Sequence, residues 1–191
     1  PTAHPLWAGN LPTKATEIAE ILGAYDAVFA LGGKSLITVL YTQGPAVPPG
    51  TQVFQLSADV RDLGRTYSTA LSMVGDIRAS LTALQPLLEA RIAGRAETYA
   101  ALRAGAVTRY EERRARLSAA ADAAFADAVI QPLVAAREIA RAVGADTAIV
   151  DEAPATLGHL RTFLHSAWTR QYASIRGGVL GWGMPSAVGF S

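Results

Sequence analysis

The stretch RGGVLGWGMPSAVGFS, residues 176–191, says most about the fold of this chain. It opens with the glycine pair Gly177-Gly178, continues through Val179 and Leu180, and reaches the step Met184-Pro185-Ser186. Proline is favoured at the first position of a helix, because the backbone N–H that it lacks would be unpaired there in any residue. We therefore predict a tight glycine turn after a strand, followed by a helix that begins at this step.

Both ends of the chain have the character of interior sequence. After Pro185 the remaining residues give barely one helical turn of small and apolar groups, with no cap and no polar face. At the other end, residues 1–5 contain no initiator methionine and no targeting pattern. We therefore expect the chain to be an internal piece of a longer protein.

Composition narrows the class of protein. The chain has 191 residues, of which 50% are hydrophobic, so it can form one sizeable core or two small ones. Its formal charge of +1 favours neither nucleic acid nor an anionic membrane as a partner. It has no cysteine, which excludes disulfides and thiolate metal sites, and no apolar run reaches the roughly 18 residues of a membrane span. We expect a globular, cytoplasmic protein.

Up to about residue 90 the chain has the pattern of an α/β layer. Thr13–Leu22 predicts a helix with Thr13 as its N-cap and Gly23 as its stop. Asp26–Leu31 is a short apolar run closed by Gly32-Gly33, which is typical of a parallel strand that is buried on both faces. These patterns indicate the closing part of a doubly wound parallel sheet.

Two further strands and two helices follow. Gln52–Ser57 predicts a second strand and Leu71–Val74 a short third, and Asp76 is the expected N-cap of a helix that runs to about Ala90. Beyond Arg91 the composition shifts to alanine, arginine and glutamate, which predicts a long, largely solvated helix with Glu111–Arg114 as an exposed charged face. We interpret residues 91–128 as a polar helical linker between two α/β domains.

A second α/β unit begins near residue 130. A helix is predicted from there to Val143, and a strand at Thr147–Val150 places Asp151-Glu152 at its carboxyl end, where active-site groups of open parallel sheets gather. The next run, Thr156–His165, predicts a helix, and Tyr172–Ile175 predicts a strand that leads into the glycine pair.

Familiar motifs assign no catalytic or metal-ligating residue. Gly33-Lys34-Ser35 resembles the end of a phosphate-binding loop, but that loop requires glycine where the chain has Val28. His159 and His165 are six residues apart, so they do not share one helical face as an i, i+4 metal pair would. The sequence also lacks the Gly-x-Ser-x-Gly elbow of a nucleophilic serine.

Two motifs together resemble a known family. Asp151-Glu152-Ala153-Pro154 after a strand, followed about 25 residues later by the stretch 176–189, is similar to the start of the diphosphate-binding domain of thiamine diphosphate-dependent enzymes. The benzoylformate decarboxylase and acetolactate synthase group resembles it most. His4-Pro5, the helix and strand up to Gly33, and Pro49-Gly50-Thr51 resemble the second half of that family's central domain. The resemblance implies a central-domain part at 1–90 and the start of the cofactor domain at 129–191.

The resemblance implies a role for the glycine turn. In these enzymes it supports the aminopyrimidine of the cofactor, with a backbone contact at Gly178, and a bulky apolar residue holds the cofactor bent; Leu180, after Val179, occupies that position. Glu152 and the loop after it, formed by Ala153, Pro154 and Ala155, would also bind the cofactor, with the loop lying by the diphosphate. The cofactor would serve as the electron sink for decarboxylation or carboligation of a 2-oxo acid.

The family's remaining catalytic groups would lie elsewhere. Its Mg²⁺ ligands would follow Ser191 and its activating glutamate would precede Pro1, so this chain alone is expected to be inactive. The histidine that benzoylformate decarboxylases carry after the first strand is replaced by Leu36–Leu40, and hydroxyl residues common in that group are missing at Ala153–Ala155, so benzoylformate itself is not specified. The family also implies a homodimer or homotetramer.

A non-catalytic module is the alternative. Central domains of this type bind a flavin or adenine nucleotide in the acetolactate synthase group, or bind nothing. Asp59, just after the second strand, would then meet a ribose hydroxyl, whereas its simpler role is the N-cap of a short helix at Val60–Leu63.

Overall fold

A computed structural model describes residues 2, 4–33, 35–39, 41–144, 147–164, 172–174 and 179–190. This part of the chain has the predicted α/β class, with every strand pair parallel. Its helices are α1 (Ala15–Leu22), α2 (Ile77–Ile92), α3 (Ala96–Ala123), α4 (Pro132–Ala142), α5 (Leu157–Phe163) and α6 (Gly183–Phe190). Its strands are β1 (Ala27–Leu31), β2 (Gln52–Ser57), β3 (Leu71–Val74), β4 (Ile149–Asp151) and β5 (Tyr172–Ser174).

The chain divides into two compact units. The first unit is Leu11–Ala96, and the second unit combines Pro1–Asn10 with Glu97–Ser191. The predicted domain bounds at residues 90 and 128 stay a prediction.

The first unit is built on a three-stranded parallel sheet with β2 in the middle. The centre of the sheet is buried at Val53 and Leu56, and α1 packs on one face through Ile18 and Leu22, with Leu36 completing that core. The middle strand is the most buried because it alone has a neighbour on each side.

One prediction for β1 is wrong. Val28 packs against the core beneath α1, whereas Phe29 and Leu31, which alternate with it, remain 40% and 43% exposed. A wholly apolar run shows that a strand can be buried on both faces, but it does not show that the same chain supplies both covering layers.

Helix α1 starts later than predicted. It begins at Ala15, and its N-cap residue Lys14 makes no side-chain cap. The Ala15 N–H is instead bound by Thr42 Oγ1 at 3.0 Å, while the carbonyl of Thr13 accepts from Val39 N–H at 3.0 Å. Thr13 is therefore not the cap, because a hydroxyl distant in sequence takes that role.

Helix α2 starts as predicted. Asp76 is its N-cap, and the carboxylate accepts from the Ala79 N–H at 2.8 Å. The helix ends at Ile92, two residues beyond the predicted Ala90.

Helix α3 is the predicted long polar helix, but its charged face is only partly exposed. Glu111 and Glu112 are exposed, whereas Arg113 and Arg114 are half-buried. Arg113 Nη2 donates to the Trp7 carbonyl at 2.8 Å and its guanidinium lies 5.3 Å from the centre of the Trp7 ring. The sequence pattern missed this because the covering residues lie about a hundred positions earlier.

The second unit carries the β4–β5 sheet. Helices α4 and α5 pack through Ala136, Leu160 and Leu164, and the two strands pair with Ile149 beside Tyr172. Within the described ranges, no helix is long and apolar enough to cross a bilayer.

Candidate functional site

The carboxyl end of β4 carries the two adjacent carboxylates that the sequence placed there. Asp151 is buried; its Oδ2 accepts from the Tyr172 hydroxyl at 2.8 Å and its Oδ1 accepts from the Ala153 N–H at 2.9 Å. Burial and the bond to Asp151 raise the pKa of Tyr172, so the phenol stays a proton donor. Asp151 thereby fixes the first residue of the following loop to both strands.

Glu152 binds a different part of the backbone. Its Oε1 accepts from the N–H groups of Gly181 and Trp182, the latter at 3.1 Å, and its Oε2 accepts from the Gly183 N–H at 2.5 Å. Three successive backbone donors therefore converge on one side chain. Successive side chains at a strand end point to opposite sides, which is why the neighbouring Asp151 reaches other partners.

The hydrogen bonds favour the ionised form of this carboxyl group. The bonds from Gly183, then those from Trp182 and Gly181, lower the pKa of Glu152 and outweigh its partial loss of water. The donors also lie at the start of α6, where the aligned peptide dipoles favour a negative charge.

The two glycines of the turn are required for different reasons. Gly181 has φ +92°, a conformation that L side chains rarely adopt. A Cβ at Gly183 would lie 2.8 Å from Glu152 Oε2 and 3.0 Å from Glu152 Cβ, so any side chain there would displace Glu152. The Gly-Trp-Gly step thus allows the backbone to approach the carboxylate.

Next to the anchored turn lie two apolar side chains that the rest of the described chain does not cover. Val179 is 72% exposed and Leu180 is 79% exposed. Exposed apolar side chains beside a fixed backbone can gain hydrophobic contact with a ligand or a partner. Gly178, the third predicted contact residue of the turn, lies outside the described residues, as do Arg176 and Gly177.

The helix after the turn differs from the prediction. It begins at Gly183, so Pro185 is its third residue, and it continues for eight residues to Phe190. It also has an N-terminal acceptor, since Glu152 binds the N–H of its first residue. Residues 179–182, just before the helix, have no side-chain acceptor, and the cap comes instead from about 30 positions earlier.

The structure brings some predicted site residues together. Glu152 binds the turn that directly follows Val179 and Leu180, and Ala153, Pro154 and Ala155 form an exposed loop directly after Glu152. The described residues contain no group of three or more histidine and acidic side chains that could hold a metal ion.

Sequence reasoning missed how the two carboxylates are used. Asp151 fastens β5 and the loop, and Glu152 fastens the turn, whereas the pattern indicated only that both lie at a strand end. One signal was available: a helix whose own sequence offers no cap requires an acceptor from elsewhere.

The strand end in the first unit is arranged differently. The Asp59 carboxylate accepts from the Arg61 N–H at 2.9 Å and caps the short 3₁₀ turn Val60–Asp62, as its simpler role predicted. A separate cavity of about 760 Å³ lies in the same unit, lined by the connection from Leu36 to Thr51 and by Thr66–Ser68. Asp59 is not among the residues that line it.

The fold has known relatives among solved structures, although no family model matches the sequence. One is an enzyme from Mycobacterium smegmatis assigned to the thiamin diphosphate-dependent class, with a TM-score of 0.70 and 22% identity. Another is the thiamine diphosphate-dependent 4-hydroxybenzoylformate decarboxylase of Rhodococcus jostii RHA1, with a TM-score of 0.70 and 16% identity. Each match covers 100% of this chain, but 34% and 32% of the other.

These likenesses confirm the resemblance to thiamine diphosphate-dependent enzymes at the level of fold. The chain has the fold of one section of such an enzyme, and it spans about a third of the length of the solved structures that it matches.

Proposed function

We propose that this chain is a section of a thiamine diphosphate-dependent enzyme that decarboxylates or carboligates a small 2-oxo acid. The observation that carries the proposal is the segment Val179-Leu180, directly before the anchored turn, which presents two exposed apolar side chains next to the carboxyl end of β4. The fold shared with enzymes of that cofactor class supports it.

The chain's own residues fit one part of the cofactor. Leu180 and Val179 would pack against the rings and hold them bent, with the backbone at Gly178 bonding the aminopyrimidine. Ala153, Pro154 and Ala155 have small side chains, so the loop after Glu152 leaves room for a bulky charged group such as the diphosphate. The bound cofactor supplies the electron sink that allows a carboxylate to leave as carbon dioxide.

The rest of the site is proposed to come from outside these residues. In this scheme Mg²⁺, its ligands and the acid that activates the cofactor belong to other parts of the enzyme, which works as a homodimer or homotetramer in the cytoplasm. This chain alone is expected to release no carbon dioxide from pyruvate or benzoylformate when thiamine diphosphate and Mg²⁺ are added.

The structure offers the alternative role little support. A flavin- or adenine nucleotide-binding module would use Asp59 at a ribose, but that carboxylate forms three hydrogen bonds of 2.6–3.0 Å with the Arg61 guanidinium. An acceptor that is already paired in this way is poorly placed to bind a ribose hydroxyl.

A matched pair of variants tests the proposal in the protein expressed from its complete reading frame. Leu180→Ala should lower kcat with a 2-oxo acid by about tenfold or more, since misplacing a reacting group is costly. Met184→Ala removes a side chain that is 84% exposed in the adjacent helix and should leave kcat unchanged. Failure of the unmodified protein to bind thiamine diphosphate, or equal effects of the two variants, would contradict the proposal.

A further inference from the structure

The carboxylate of Glu152 is a structural anion for the start of α6. The first N–H groups of any helix have no partner within the helix, and a phosphate or carboxylate ligand commonly takes them. Here the N–H groups of Gly181, Trp182 and Gly183 already donate to Glu152. An anionic ligand would have to displace an ionised side chain of the same chain to bind there.

The anchor reaches the turn from a rigid element. Glu152 directly follows β4, which pairs in register with β5, and the preceding Asp151 is fixed by the Tyr172 hydroxyl. The backbone of Glu152 therefore has little freedom, and its side chain transmits the position of the strand to Gly181. Leu180 directly precedes Gly181, the first of the anchored residues, so the position of Leu180 depends on the hydrogen bonds to Glu152.

We propose that Glu152 is a positioning residue, which ties the Gly181–Gly183 turn to the end of β4 and so holds Leu180 in place for the cofactor. This inference rests on the proposed function for its cofactor part only. It changes the role expected for Glu152: the carboxylate binds the protein backbone rather than the cofactor. It also implies that the diphosphate does not use the start of α6.

Three substitutions at position 152 separate the effect of the negative charge from the effect of side-chain length. Glu152→Gln keeps one acceptor oxygen but loses the charge and the second acceptor. Glu152→Asp keeps the charge on a side chain that is one methylene shorter, and Glu152→Ala removes both. If the Glu152 carboxylate positions the turn, amide exchange in the turn should be faster in Glu152→Ala than in Glu152→Gln. Glu152→Asp should also fail to reach the slow exchange of the wild type.

The first measurement concerns the chain itself and needs no cofactor. Amide hydrogen exchange at Trp182 and Gly183 should become about tenfold faster in Glu152→Ala, because charge-assisted hydrogen bonds are lost. Exchange at Val53 and Leu56 in β2 serves as the internal control and should not change. Unchanged exchange at the turn would overturn the inference, whether or not the protein is an enzyme.

The second measurement uses the protein from its complete reading frame. The Kd for thiamine diphosphate, followed by tryptophan fluorescence, should rise about tenfold in Glu152→Ala and less in Glu152→Gln. Faster amide exchange at the turn together with an unchanged Kd for thiamine diphosphate would overturn the positioning role. No binding by the unmodified protein would instead refute the proposed function and leave the anchor to be judged by exchange alone.

Discussion

At the ends of both β2 and β4 a side chain holds the following backbone in place, but the chemistry of the two side chains differs. Near the end of β2 the buried Gln55 holds the next loop with a neutral amide, whose Nε2 donates to the Asp62 carbonyl at 3.0 Å and whose Oε1 accepts from the Gly64 N–H at 3.0 Å. After β4 an ionised carboxylate, Glu152, holds the turn at the surface. The neutral clamp, formed by Gln55, stabilises the fold at any pH. The charged clamp, formed by Glu152, is stronger per hydrogen bond but depends on ionisation of the carboxyl group.

The difference follows from where each strand lies. Gln55 is 2% exposed in the middle of a three-stranded sheet, and an unpaired charge there would be costly to bury. Glu152 lies at the edge of a two-stranded sheet, where water solvates the part of its carboxylate that the backbone N–H groups do not bind. The turn can use a charged anchor because it is near solvent.

The largest effect is expected from breaking the neutral clamp. Gln55→Met keeps the volume but leaves two backbone groups unpaired, so the free energy of unfolding of the first unit should fall by about 2–3 kcal/mol. Far-ultraviolet circular dichroism during urea unfolding can follow this, since all three tryptophans lie outside the first unit. Gln52→Met, on an exposed position of the same strand, should change stability by no more than about 0.5 kcal/mol. Equal losses in the two variants would show that the clamp is unimportant.

At the charged clamp, two glycines of one helix should respond with opposite signs. Gly189→Ala has open space around the new methyl group and should stabilise α6 by about 0.5–1 kcal/mol through helix propensity. Gly183→Ala would drive the methyl group into Glu152 and should destabilise the second unit by about 1–2 kcal/mol. Urea unfolding followed by tryptophan fluorescence measures both. Stabilisation by both variants would mean that the turn is not held against Glu152.

A smaller effect is expected at a second hydrogen bond at the end of β2. The buried Ser57 Oγ accepts from the Asp59 N–H at 3.1 Å, so Ser57→Ala should cost about 1 kcal/mol. Ser72→Ala on β3 removes a hydroxyl whose bond to Thr69 is exposed, and it should cost less than about 0.5 kcal/mol. Urea unfolding by circular dichroism compares them, and a larger loss at Ser72 would contradict this ranking.

The smallest effect is a difference in pH dependence. Because folding lowers the pKa of Glu152 below its ordinary 4.5, the stabilisation from this group is present above that pH and is lost as the pH falls through the lowered folded value. Amide exchange at Trp182 should therefore accelerate in acid relative to exchange in β2, after correction for the intrinsic rate. Glu152→Gln should lack this relative acceleration, and a variant that retained it would assign the pH dependence to another group.

Much of the fold was predictable because local patterns carry it. Apolar runs predicted all three strands of the first unit. Asp76 predicted the start of α2, because an N-cap residue directly precedes the helix that it caps. The class of fold and the strand end that carries Asp151 and Glu152 followed from alternating helix and strand patterns. These features depend on neighbours within a few residues, which a sequence displays directly.

Two of the errors have the same cause, which is a partner distant in sequence. Thr42 replaces Thr13 at the start of α1, and the segment around Trp7 covers Arg113. Phe29 is a different case, because the described residues cover that face of β1 only in part and leave the side chain 40% exposed. None of these contacts alters the local pattern, so no reading of the local sequence could have found them.

The sequence by itself determined the parallel α/β architecture and the residues at the end of β4. Only the tertiary structure decided that Glu152 binds Gly181, Trp182 and Gly183, because a carboxylate can take any donor within reach and reach is set by how the chain folds back. The glycines mark where the backbone must come close. The three-dimensional packing alone shows what it comes close to.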